Sequence, residues 1–214
     1  TIKALAEVLD VRVTDFLNSR NQNLVFSHGE FRKGSRLPVK QQDYIRESVE
    51  EYLSRFYCVI DMLGGEVLPE APVCHGLRLV GDIEENAFSM RRYLHISEFG
   101  TVGNLIGTLE NKGILVYVSD IDNDAFSGMN GTVNGRPFIV VNGKMNTERI
   151  RSTIAHEMAH ILFEWPKDME EKQMEEMATA ISGAFLFPEE DAKRELGIRR
   201  TSVTKDMLLV CKEY

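Results

Sequence analysis

Cysteine is scarce: Cys58, Cys74 and Cys211 are the whole complement of 214 residues, and no two form a CxxC pair. An odd, widely spaced set points away from disulfides and towards reduced thiols, each a small apolar residue, in a cytoplasmic protein. Long apolar runs are missing too. None approaches the ~20 residues that a membrane helix requires, and the longest, 154–163, is interrupted by His and Glu. The opening TIKALAEVLDV lacks the basic stretch and apolar core of a signal peptide. It starts at Thr1 rather than Met, as expected of a fragment or processed form. Basic charge is in deficit, with 25 Lys and Arg against 33 Asp and Glu and a net charge of -8. The chain as a whole is therefore a poor nucleic-acid binder. Glycine and proline are few, and neither an internal repeat nor a low-complexity tract is present. What remains is ordinary globular composition, 43% apolar and 27% charged. The length suits one domain with a core, or one domain with a smaller attachment.

The charge is uneven. Residues 1–36 carry Lys3, Arg12, Arg20, Arg32, Lys33 and Arg36 against fewer acids, whereas 168–191 is strongly acidic. In residues 2–17, Ile2, Leu5, Ala6 and Leu9 recur at helical spacing, and a break at 10–14 precedes Phe16 and Leu17. A helix, a turn and a second short helix follow from that pattern, too little to bury a core alone. Residues 18–38 are polar and read as a linker or extended segment. Pro38 opens a long helix over 39–62, with Tyr44, Ile45, Val49, Tyr52, Leu53, Phe56 and Ile60 on one stripe, stopped by Gly64-Gly65. VLPEAP (67–72) reads as a second linker, and 82–95 and 101–111 as two further helices.

The period then changes. Strands are expected over 114–118, more weakly over 125–129, and over 136–141, with turn chemistry at Gly128, Asn130-Gly131 and Asn134-Gly135. Helical spacing returns from Thr147 to Phe163, ended by Trp165-Pro166, then over 169–186 to Pro188, then in short helices near 189–196 and 202–213. Helices, sheet, helices is the order of an α+β fold. The expected architecture is mostly helical, with a small three-stranded, largely antiparallel sheet packed beside the helix at 147–163.

That helix contains His156-Glu-Met-Ala-His160. Residues four apart on a helix share a face, so both imidazoles can reach one ion at about 2.0–2.1 Å. Glu157 lies beside the ion, where it can take the proton of an attacking water. The surrounding residues, Ile150, Ile154, Met158, Ile161 and Leu162 among them, are apolar, and buried imidazoles and carboxylates need partners there. A catalytic zinc takes three protein ligands. His28, His75 and His95 lie far upstream and read as ordinary polar residues. The following helix offers Glu175 and Glu176 where it turns apolar. They sit about 100° apart around the helix, so one ligates and not both; spacing alone leaves the choice open.

These residues resemble the ImmA/IrrE metallopeptidases. The resemblance runs from about Phe126 to Leu196 through FSGMNG, RPFIVVN, ERIRSTIAHEMAHILF and EEMATAISGAFLFPEE. Aligning Ala178 and Pro188 on that family's second motif implies Glu175 as the third ligand, beside His156 and His160, with Glu157 as catalytic base, Zn2+ as cofactor and a zincin-like arrangement. Thr179, Ile181 and Ser182 depart from the family's usual Asn, Phe and Ala. IKALAEVLDVRVTDFL resembles the end of an XRE-type (Cro/C1-like) helix-turn-helix domain, and FRKGSRLPVKQQDYIRE the connector between such a domain and the peptidase. The implied organisation is a helix-turn-helix remnant at 1–17, a connector with the long helix at 18–72, and a metallopeptidase domain at 73–214.

The resemblance implies hydrolysis of a protein substrate, a helix-turn-helix repressor or related regulator of phage, mobile-element or stress-response genes. DNA would be bound only through the mostly missing N-terminal domain, with no membrane partner. The oligomeric state is open, a dimer included. Competing expectations are a non-catalytic zinc-containing sensory module of a transcription factor, and a toxin–antitoxin component acting through protein contacts. For the oxyanion, His95 or a tyrosine are the candidates, and 125–130 is the candidate edge for an extended peptide.

Overall fold

The structure, a computed structural model, describes residues 2–10, 12–13, 24–29, 37–65, 67–199 and 201–214. The expected second short helix near Phe16 and most of the first linker lie outside these residues. In chain order the elements are α1 (Ile2–Val8), β1 (Phe26–His28), α2 (Val39–Met62), β2 (Leu77–Arg78), α3 (Ile83–Leu94), α4 (Leu105–Asn111) and β3 (Leu115–Ser119). They continue with β4 (Gly128–Val133), β5 (Arg136–Asn142), α5 (Thr147–Leu162), β6 (Phe163–Glu164), α6 (Glu171–Leu186), α7 (Glu189–Leu196) and α8 (Lys205–Glu213). The fold is α+β.

The sheet has four strands, not three, in the order β1-β4-β5-β3. Strand β1, from the segment read as a linker, pairs antiparallel with β4, setting Phe26 opposite Val133 and His28 opposite Gly131. Strands β4 and β5 form an antiparallel hairpin, while β3 lies parallel to β5, so the sheet is mixed. The hairpin turns at Asn134-Gly135, both with positive φ (51° and 78°), the requirement of a tight primed turn. Asn130-Gly131, expected to be a turn, lies inside β4. A Cβ at Gly131 would sit 2.5 Å from Phe138 Cζ and 2.5 Å from the Ser27 carbonyl oxygen, so close approach of strand and ring is what demands glycine there.

Strand β5 is buried on both faces, which explains its unbroken apolar run. Phe138 and Val140 pack with Ile45, Val49 and Leu53 of α2. Ile139 and Val141 alternate to the other face and join Ile154, Met158 and Leu162 of α5 with Ile181 and Phe185 of α6. The sheet is thus the middle layer between α2 and the α3–α5–α6 group. Tyr44 and Tyr52, expected on the buried stripe of α2, are 65% and 41% exposed.

Gly128 lets α5 lie directly on β4, since a Cβ there would meet Thr153 Cγ2 at 2.6 Å. Helix α5 is capped by Asn146, whose side chain accepts from Arg149 N. After α5 the chain extends at once into β6, whose two-residue parallel ladder with β2 was not anticipated. Among the described residues, no helix is long and apolar enough to cross a membrane.

Candidate metal centre

Helix α5 presents His156, Glu157 and His160, and α6 packs alongside with Glu175 turned towards them. The two Nε2 atoms are 3.1 Å apart. Glu175 Oε2 lies 3.3 Å from His156 Nε2, and Oε1 lies 3.3 Å from His160 Nε2. A tetrahedral ion with ligands at about 2.0–2.1 Å spaces them roughly 3.3–3.4 Å apart. Each imidazole thus has a different Glu175 oxygen at that spacing, and one donor atom from each residue lies within 4.8 Å of the others, close enough to share one metal ion. Two imidazoles and a carboxylate are also a donor set suited to a divalent transition metal. His156 is 8% exposed, so the charge density of the trio is partly withdrawn from water. Glu176 lies elsewhere: its side chain is 68% exposed and 3.8 Å from Lys172 Nζ.

Partners around the trio fix its orientation. Thr179 Oγ1 is 3.3 Å from His156 Nδ1. With Nε2 bare for a metal, Nδ1 carries the ring proton and donates it to the threonine oxygen. One turn along the helix, the buried Ser182 Oγ donates to the Thr179 backbone carbonyl at 2.8 Å. The Trp165 ring lies 5.5 Å from that of His160. Glu157 accepts a 2.8 Å hydrogen bond from Asn130 Nδ2, so one carboxylate oxygen is tied to β4.

These groups line a cleft of about 820 Å³, shared with Ala125–Met129 and Arg149. Strand β1 covers β4 over 131–133, so among the described residues the expected edge is cut back to Gly128 and Met129 at the start of β4, on the cleft wall. Ala125 lies in a turn, with its N–H and that of Phe126 bonded to Asn123. The upstream histidines disperse. His28 Nε2 is 2.9 Å from Glu50 Oε1, between β1 and α2. His95 ends α3 in a left-handed conformation with its Nδ1 3.1 Å from Lys112 Nζ, and it does not line the cleft. No tyrosine lines it either, so both kinds of proposed oxyanion donor are placed elsewhere. His75 does line the cleft, and its Nδ1 donates to the Phe163 carbonyl at 2.9 Å.

His75 and Trp165 were not anticipated at the site, and Asn130, expected only as the end of the candidate edge, was not anticipated as a partner of Glu157. Asn130 was hidden inside an Asn-Gly pair that signals a turn. His75 comes from a remote segment, and only its pairing with the end of α5 brings it here. No sequence period reports such a contact.

Residues 109–208, somewhat less than half of the chain, match the family model described as the IrrE N-terminal-like domain, a peptidase family. No curated protein and no solved structure matches the chain. The matched region contains all of β3–α7 and therefore His156, Glu157, His160 and Glu175; β1, α2 and the upstream residues lie outside it.

Proposed function

We propose that this protein is a zinc-dependent peptidase of the ImmA/IrrE type that cleaves a protein regulator, a helix-turn-helix repressor by preference. The observation that carries the reading is the donor triangle of His156, His160 and Glu175 with the Glu157 carboxylate beside it, at the floor of an open cleft. A bound zinc would supply Lewis acidity, making water acidic near neutral pH and polarising the scissile carbonyl. Glu157 accepts the proton of the attacking water and returns it to the leaving amine. The exposed start of β4 at Gly128 and Met129 holds an extended substrate by strand addition, its backbone groups pairing with those of the peptide. Arg149, whose Nη2 donates to Ser127 Oγ at 2.9 Å, adds a positive charge to that wall.

A helix-turn-helix substrate, an XRE-type remnant at 1–17, DNA binding through it and roles in phage or stress control rest on the resemblance of residues outside the matched region and on what such peptidases regulate. The cytoplasmic location rests on the reduced-thiol reading.

The test is incubation of a neighbouring-gene helix-turn-helix repressor with the zinc-loaded protein and with Glu157→Gln. Cleavage by wild type alone is expected. Zinc bound at one per chain with the repressor left intact would favour a sensory module instead. Growth inhibition that persists in Glu157→Gln would favour action through protein contacts.

A further inference from the structure

We propose that Asn130 is the positioning residue of Glu157, and that strand β1, upstream of the region matching the peptidase family, holds Asn130 in place; the proposal rests on the peptidase reading above. Glu157 projects from a helix on a three-torsion side chain, so the helix alone does not decide which carboxylate oxygen faces the donor triangle. The Asn130 amide decides it. Its Nδ2 donates to Oε2 at 2.8 Å and leaves Oε1 to take the proton of water. An amide is suited to this task, because it donates at that point without carrying charge.

Asn130 is itself clamped from both sides. On one edge it stands opposite Ile139 in the β4–β5 hairpin. On the other, its carbonyl accepts from Gly29 N at 2.8 Å, just beyond the end of β1. A Cβ at Gly29 would sit 3.0 Å from Asn130 Oδ1 and 3.1 Å from its carbonyl oxygen. A side chain at 29 would therefore crowd the amide and its carbonyl, which would have to give by a few tenths of an ångström. Strand β1 is tied to α2 by the 2.9 Å contact of His28 with Glu50, and its His28 ring packs edge-on against Phe138. A continuous set of contacts thus runs from α2 through β1 and Asn130 to the catalytic base. The segment read from sequence as a linker is part of the active-site frame.

A purely structural role for Asn130 makes a different forecast. Aspartate has nearly the same shape and would be tolerated. As a positioning donor, Asn130→Asp is as damaging as Asn130→Ala, because it sets a second carboxylate against Glu157. Gly29→Ala tests the frame with both Asn130 and Glu157 intact. For each zinc-loaded variant the readouts are metal per chain, the affinity of acetohydroxamic acid by calorimetry, and kcat and KM on a mixed fluorogenic peptide set. The hydroxamate probe gives up a proton to the base beside the metal, so it reports on Glu157 without turnover. Expected are unchanged zinc, hydroxamate affinity weaker by about 10–100-fold in both Asn130 variants, and kcat lower by a similar factor with KM within about twofold of wild type. Gly29→Ala is expected to shift the same quantities in the same direction. Wild-type probe affinity and kcat in Asn130→Asp, or a rise in KM alone, overturns the proposal. If wild type cleaves no peptide while the hydroxamate differences stand, the peptidase reading fails and the positioning role survives.

Discussion

Arg91 is the most demanding buried group away from the metal centre, and its removal has a calculable cost. It is 1% exposed. Its Nε donates to the Phe185 carbonyl at 2.8 Å, and Nη1 to those of Ser97 and Gly100, both at 2.9 Å. Nη2 reaches the Leu186 carbonyl at 3.3 Å. Burial pushes the guanidinium pKa below its ordinary value, and the fully buried Asp191 opposes that shift. Asp191 Oδ2 accepts from Gly100 N at 2.6 Å, so Arg91 and Asp191 together seal the loop after α3 against the end of α6. Arg91→Met keeps most of the stem and strands the carbonyls. Counting only the three shorter bonds at the low end for charged donors, about 1.5 kcal/mol each, gives a loss of about 4–5 kcal/mol. That is a large share of the ~5–15 kcal/mol that holds a domain together. Urea unfolding followed by circular dichroism measures it. The midpoint is expected to fall with an unchanged m-value, and Arg91→Lys, with a single ammonium, to recover about half at most. A loss below about 1 kcal/mol for Arg91→Met would refute the reasoning, since it would mean that water satisfies those carbonyls as well as the guanidinium does.

Glu175→Ala is expected to reduce bound zinc well below one per chain after dialysis, while Glu176→Ala retains it; metal analysis distinguishes them, and the reverse order would break the assignment of the third ligand. Gly131→Ala is expected to cost about 2 kcal/mol or more by forcing Phe138 and β1 aside, read by the same urea melts. The Lys212 ammonium, 2.8 Å from Glu148, holds the Glu148 carboxyl below its ordinary value and is itself raised. A depressed folded-state carboxyl stabilises above its unfolded pKa, and that contribution is lost as pH falls through the folded value. The attachment of α8 to α5 should therefore weaken only below about pH 4.5, the ordinary carboxyl range. A carbon-detected NMR titration should place the Glu148 midpoint low and return it to the ordinary range in Lys212→Met.

Helices were legible where an amphipathic stripe was long enough to repeat. The expected 39–62 and the observed Val39–Met62 coincide, and α5 and α6 begin and end within about two residues of expectation, the usual play at helix ends. Strand β5 was legible because both of its faces are apolar. Strand β1 was not, because Phe-Ser-His is three residues long inside a polar stretch, and only its pairing with β4 makes it a strand. The parallel direction of β3 was equally hidden, since alternation reports faces and not direction. At the centre, HExxH spacing gave one helix face. Choosing between Glu175 and Glu176 needed the resemblance, because a 100° step settles orientation only once the packing angle of α6 against α5 is known. Asn130 illustrates the remaining limit: the Asn-Gly pair has strong turn chemistry locally, and the tight seat of Gly131 against Phe138 overrides it.

The central claim is that this centre hydrolyses peptide bonds. Its most direct test is mass spectrometry of new peptide ends after an unfolded protein mixture is incubated with wild type and with Glu157→Gln, each carrying one zinc per chain. The account predicts a recurring set of new termini with wild type and a loss of at least about 10²-fold in their rate of appearance with Glu157→Gln. No new termini from zinc-loaded wild type, or equal numbers from both proteins, would contradict it.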